Sequence, residues 1–220
     1  MHTRELVNFL QGLAENNNRA WFVMNKPSYD ILRGEFVELV GAVIAETAKF
    51  DPSVASQDAK KALFRINRDI RFAKDKSPYK SNFSAVIAPG GKKDPGSHYY
   101  FHIDHKGKLF VAGGCYMPPA HVLARIRSHI AQEPAKFSRL LKTRTLWSHF
   151  GSFADEGRLK RPPKGFAAET PHLKYIKQKS FIVWTEAPVL KISSAALAKH
   201  VADGFRKSYP LVTWLRGAVQ

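Results

Sequence analysis

Apolar residues recur with helical spacing along the first fifty positions. Leu6, Phe9, Leu10 and Leu13 fall on one stripe, which predicts a short amphipathic helix over residues 3–14 with Thr3 as its N-cap. Asn16-Asn17-Asn18 then predicts a tight corner, because Asn tolerates left-handed backbone and caps helices. A second short helix, Arg19 to Met24, carries Trp21 and Phe22. Pro27 stands at a first helical position. Tyr29, Leu32, Phe36, Leu39, Val40, Val43 and Ile44 keep the spacing to about Lys49, where Asp51-Pro52 ends it. This stripe reads as core.

The period then changes to two. Ala62, Phe64, Ile66, Ile70 and Phe72 occupy even positions, and Arg65, Asn67, Asp69 and Arg71 the odd ones. The alternation predicts a strand over 62–72 with one wet face. Arg68 falls on the apolar side, which calls for a bulge there or an arginine partly buried with an acidic partner. Lys74 to Pro78 reads as a loop, and Asn82 to Ala88 as a second strand closed by Pro89-Gly90-Gly91. Gly91 to Gly96 reads as a flexible basic loop. His98–Asp104 and Leu109–Cys115 flank Lys106-Gly107 and predict an antiparallel hairpin. Gly113-Gly114 either ends the second of these strands or lets another backbone approach it.

Pro118-Pro119 opens a helix to about Gln132, and Pro134 starts another with Phe137, Leu140 and Leu141. Residues 143–180 are poorer in regular pattern. Phe181 to Thr185 reads as a strand, Ser194 to Lys207 as a helix, and Pro210 as the start or kink of a final turn. Sequential strands flanked by N-terminal, middle and C-terminal helices predict an α+β fold with a central, mostly antiparallel sheet. No repeat and no linker appears, so the 220 residues read as a single domain, 1–220.

Charge changes this picture more than composition does. Lys plus Arg is 35 against 18 for Asp plus Glu, a formal charge of +17. Such a chain attracts polyanions: nucleic acid, phosphorylated or carboxylated small molecules, or an acidic membrane surface. Hydrophobic residues at 44% exclude a wholly disordered chain. No apolar run is long enough for a membrane span, and the N-terminus lacks the apolar region of a signal peptide. With Cys115 as the one cysteine, the expected location is cytoplasmic.

The candidate chemistry concentrates in FRINRDIRFAKDKSPYK, Phe64 to Lys80. Arg65, Arg68, Arg71, Lys74, Lys76 and Lys80 surround two acids, Asp69 and Asp75. Arginine forks suit phosphate or carboxylate. Tyr79 adds a ring and a hydroxyl, and Asp69 or Asp75 can orient the arginines or act as a base. The stretch therefore reads as an anion-binding site, possible substrates being phosphorylated or nucleotide-like molecules. Two competing readings are a structural salt-bridge network and a plain solvated face.

A second basic cluster holds Arg161 and Lys164, then Lys174, Tyr175 and Lys177. Cations interleaved with rings suit single-stranded nucleic acid, and equally describe a basic surface over a core. A non-enzymatic nucleic-acid binder using both clusters is thus the first alternative, and a protein-interaction domain the second. His98, His102 and Asp104 share a strand face by parity with His105 opposite, but a His-rich hairpin surface is the preferred reading and no metal site is expected. Cys115 reads as a small apolar residue at a strand end ahead of a nucleophile. No cofactor is expected, since phosphate-loop, dinucleotide and GxSxG patterns are absent.

Four stretches together carry a family resemblance: NNNRAWFVMNKPSYD (Asn16–Asp30), FRINRDIRFAKDKSPYKSNF (Phe64–Phe83), GGCYMPP (Gly113–Pro119) and RPPKGF (Arg161–Phe166). In this order they resemble the family called domain of unknown function 2461, over nearly the whole chain. Ala73 stands where the family pattern has Ser, which removes a hydroxyl and leaves the charges. The resemblance implies one intact α+β domain, makes Phe64–Lys80 the signature, and brings no reaction, cofactor or partner with it.

Overall fold

A computed structural model describes residues 1–219. The fold is α+β. Helices accompany one four-stranded antiparallel sheet of β1 (Asn82–Ile87), β2 (His98–Asp104), β3 (Lys108–Cys115) and β4 (Phe181–Pro188), in spatial order β1-β2-β3-β4. The chain divides into two compact units, and β2, β3, β4 and the last helix contribute residues to each.

The first unit holds residues 1–92, 100–111 and 186–203. It contains α1 (Thr3–Glu15), α2 (Arg19–Met24), α3 (Lys26–Ala48) and the single turn α4 (Ala59–Ala62). The stripe read from the sequence is the buried one: Leu6, Leu10 and Leu13 of α1, and Phe36, Val40 and Val43 of α3. Phe36 lies between Phe83 and Phe101, both at 5.5 Å between ring centroids. Full burial of such a ring contributes roughly 1.5–3 kcal/mol. Side chains on β2 alternate half-buried and buried, as one face on a core requires. Asp104 turns the hairpin by accepting the backbone N–H of Lys106 and of Lys108, each at 2.9 Å, and Gly107 takes the left-handed φ of +70°.

The second unit holds residues 93–99 and 112–185 and the chain from 204 onward. Its helices are α5 (Ala120–Gln132), α6 (Pro134–Leu141), α7 (Arg144–Phe150), α8 (Leu173–Ile176) and the larger part of α9 (Ser194–Val219). Ile126, Ile130, Phe137, Leu146, Ile176, Phe181, Leu211 and Leu215 form its core. The glycine pair in β3 does not end the strand. A Cβ on Gly114, whose φ is +130°, would stand 2.1 Å from the Phe181 carbonyl oxygen, so the pair permits close backbone approach.

Four expectations need correction. No strand forms over 62–72. Ala62 ends α4, and only isolated bridges form, Leu63 with Ala85 and Asn67 with Tyr79. The alternation fails because Phe64 is 40% exposed and Phe72 94% exposed. Thr3 is the first residue of α1 rather than its cap, and His2 precedes it with its backbone N–H on Glu35 at 2.7 Å. Pro210 lies inside α9, which runs twelve residues past the expected end at Lys207 because Leu211, Val212 and Leu215 continue its buried face. Residues 143–180 contain α7 and α8, too short to leave a period in the sequence. Among the described residues, no helix is long and apolar enough to cross a membrane.

Candidate anion site in the signature segment

Three backbone hydrogen bonds hold the segment after α4. Phe64 N–H donates to Ser84 at 3.0 Å, Lys80 N–H to Ile66 at 2.8 Å, and Arg68 N–H to Pro78 at 2.9 Å. The far end is fixed by the Asn corner. Asn17 donates its amide to the Tyr79 carbonyl and accepts the Tyr79 N–H, both at 3.0 Å. The Tyr79 ring is buried and stacks on Phe22 at 4.2 Å, so it anchors the segment and does not present an open face.

Between these anchors, side chains hold the loop. Asp75 accepts the Ser77 N–H at 2.9 Å, the Ser77 hydroxyl at 2.6 Å, and Arg68 Nη1. Arg68 is the more buried partner, 28% exposed, so the partly buried arginine is realised and the bulge is not needed. Arg71 grips Asp69 in a fork, Nε to Oδ1 at 3.0 Å and Nη2 to Oδ2 at 2.7 Å. Lys76 Nζ caps the Ile70 carbonyl at 3.1 Å. Hydrogen bonds from Ser77 and Arg68 hold the Asp75 carboxyl well below the usual carboxylate range, and Arg71 lowers Asp69 likewise. Carboxylates held so firmly ionised are weak bases. They suit orientation of arginines better than proton transfer.

The remaining cations converge elsewhere. Lys80 Nζ donates to the Arg65 carbonyl at 2.9 Å, and Lys92 Nζ to the Leu63 carbonyl at 2.6 Å. Both ammoniums lie over the Phe64 ring, at 5.2 and 5.7 Å from its centroid. Burial, with Arg65 and Lys92 nearby, pushes the Lys80 ammonium below the ordinary lysine range. Among the described residues, Arg65, Lys80 and Lys92 take no part in an ion pair. Lys80 also lines a cavity of about 360 Å³ with Arg68, Ser77, Asn82 and His105. In its wall, Asn82 Oδ1 and His105 Nδ1 are buried without a hydrogen-bond partner among the described residues.

The chain matches the conserved hypothetical protein family DUF2461 over residues 5–214. It belongs to that family. No curated protein and no solved structure matched. The matched DUF2461 span includes the Asn corner, the signature segment and Lys92, so the contacts just described all lie inside the family's own sequence.

Of the residues singled out in this DUF2461 chain, the fold gathers Arg65 and Lys80 with Lys92, pairs Arg68 and Arg71 locally, and leaves Lys74 exposed at the loop tip. Lys92, Asn82 and His105 were missed. Lys92 lies in the basic loop after β1, and no spacing rule connects it to Phe64. Arg161, Lys164, Lys174, Tyr175 and Lys177 all belong to the second unit, with Arg161 and Lys164 exposed and Lys174 Nζ 4.8 Å over the Tyr175 ring. His98, His102 and Asp104 share the half-buried face of β2, and His102 stacks on Phe110 at 4.8 Å. Among the described residues, no group of three or more His, Cys, Asp or Glu side chains gathers as a metal would require. Cys115 is buried, and that burial, with Asp94 nearby, pushes its thiol up to about 12. Such a thiol is a poor nucleophile at neutral pH.

Proposed function

We propose that this DUF2461 protein binds a phosphorylated or carboxylated small molecule at the Arg65–Lys80–Lys92 cluster, in the cytoplasm and without a cofactor. The observation that carries the reading is that two ammoniums, Lys80 and Lys92, share one aromatic ring with the Arg65 charge close by, and that none of the three takes part in an ion pair among the described residues. Burial first, and the Arg65 and Lys92 charges after it, disfavour the charged Lys80, and a bound anion would offset both. Each lysine has one of its three N–H donors on a carbonyl, which leaves two for an anion. The neighbouring cavity offers room for the rest of the molecule. Asn82 Oδ1 and His105 Nδ1 there favour a ligand that carries hydroxyl or N–H groups besides its charge. In this reading Asp69 and Asp75 shape the loop and take no proton.

The test is calorimetric titration with inorganic phosphate, a sugar phosphate and a dicarboxylate, for wild type and Arg65→Ala/Lys92→Ala. Both residues are at the surface of the segment, so the variant is expected to fold; its thermal unfolding is checked first. Charge-assisted hydrogen bonds are worth about 1.5–3 kcal/mol each, so affinity should fall at least about tenfold. Equal affinity in both proteins would remove the cluster as the site.

A further inference from the structure

The second unit contains a cavity of about 410 Å³ that the reading above does not use. Its wall includes three aromatic rings. Trp147 and Phe153 stand edge to face at 5.0 Å, and Phe153 and Tyr175 at 5.7 Å. Trp147 has already placed its Nε1–H on the Leu140 carbonyl at 2.9 Å, so it offers the cavity a ring and no donor. Two cations share the wall. Lys174 Nζ lies 4.8 Å over the Tyr175 ring. Arg158 approaches Asp155 only to 3.8 Å, beyond hydrogen-bond range, so its guanidinium donors remain available.

Gln178 decides the chemistry. It is 4% exposed, it lines the same cavity, and its Oε1 has no hydrogen-bond partner among the described residues. Its backbone is fixed on both sides, the N–H on Tyr175 at 2.9 Å and the carbonyl accepting Arg127 Nη2 at 3.1 Å. An isolated antiparallel bridge sets Arg158 opposite Gln178, so the cation and the amide enter the cavity from one side. A buried acceptor left unmatched costs stability; turning the amide about its terminal bond would present this oxygen to the cavity, where a ligand N–H would satisfy it. Rings call for a flat apolar surface, and the two cations for an anionic group.

One class of molecule meets all three demands. We infer that this cavity binds a nucleoside phosphate, with an amino-bearing base against Trp147, Phe153 and Tyr175, a base N–H on Gln178 Oε1, and the phosphate at Arg158 and Lys174. The source is either a free nucleotide or an unpaired nucleotide of a single strand. The site shares no residue with the Arg65–Lys80–Lys92 cluster and stands or falls apart from it.

The full chain is titrated with AMP, adenosine, ribose 5-phosphate and a short single-stranded oligoadenylate. The Trp147 indole and Gln178 amide signals are followed by NMR. AMP should shift both saturably, with adenosine and ribose 5-phosphate each at least about tenfold weaker. Arg158→Ala/Lys174→Ala, at exposed positions, should weaken AMP about tenfold and leave adenosine unchanged. Tyr175→Leu should weaken AMP and adenosine alike. Oligoadenylate binding at least about a hundredfold tighter than AMP assigns the site to nucleic acid, and comparable or weaker binding assigns it to free nucleotide. Gln178→Met removes the acceptor at similar volume and should weaken AMP. Should that variant fail to fold, the surface double variant carries the decision. No saturable shift with either AMP or the oligomer up to about 5 mM, or shifts that persist unchanged in Arg158→Ala/Lys174→Ala, overturns the inference.

Discussion

Lys80 carries two loads at once. Its ammonium satisfies a main-chain carbonyl and faces the Arg65 and Lys92 charges while half-buried. Its lowered pKa has a sign that can be measured. A lysine loses its charge as pH rises through its own pKa, and here that loss begins below the ordinary lysine value of about 10.4. Affinity for an anion at the cluster should therefore decline with rising alkaline pH earlier than an ordinary lysine site would. Lys80→Arg should remove the early part of that decline, because guanidinium keeps its proton throughout this range and only Lys92 is then left to lose its charge. Titrations at a series of pH values in both proteins check this, and identical profiles would count against Lys80 as a ligand. Phe64 makes a similar point. Its sequence position suggests a core residue, yet its ring lies under two ammoniums, where the face of an aromatic ring attracts cations.

At the scale of elements, what could be read from the sequence follows from how each element earns its burial. The helices α1 and α3 and the β2–β3 hairpin were legible because each buries one continuous face against a core, and that face imposes a period. The signature segment has period two as well, but only Leu63 and Ile66 reach the core between positions 63 and 72. Side-chain contacts to Asp69 and Asp75 shape the rest, and such contacts leave no period behind. The proposed site was half legible for the same reason: Arg65 and Lys80 stand in the segment, while Lys92 reaches it from beyond a whole strand. The glycine pair in β3 was read as a choice between two roles, and Gly114 settles it. Gly114→Ala forces a Cβ to within 2.1 Å of the Phe181 carbonyl and demands an unfavourable φ. A loss of about 2–4 kcal/mol is expected from urea unfolding. A change below about 0.5 kcal/mol would mean that β3 and β4 can part there without cost.

For the whole molecule, 35 basic residues against 18 acidic ones leave an excess that local pairing does not remove. That excess raises encounter rates with any polyanion without selecting one. Labelled DNA and RNA should accordingly bind in a strongly salt-dependent way, with most affinity gone between about 50 and 200 mM salt, and equally in wild type and Arg65→Ala/Lys92→Ala. Retention of tight binding near about 150 mM salt in wild type, with loss in the variant, would instead make the signature segment a nucleic-acid site. The same experiment on Arg161→Ala/Lys164→Ala asks whether the second unit's exposed cations contribute to the salt slope.

The withdrawn thiol of Cys115 has a practical corollary for all of these questions. Since the chain's one native sulfhydryl is buried and held protonated, a cysteine introduced at an exposed position such as Phe72 or Ser152 becomes the single handle for a fluorophore or spin label. Distances from the signature loop, or from the rim of the aromatic cavity, can then be followed in solution on an otherwise native background.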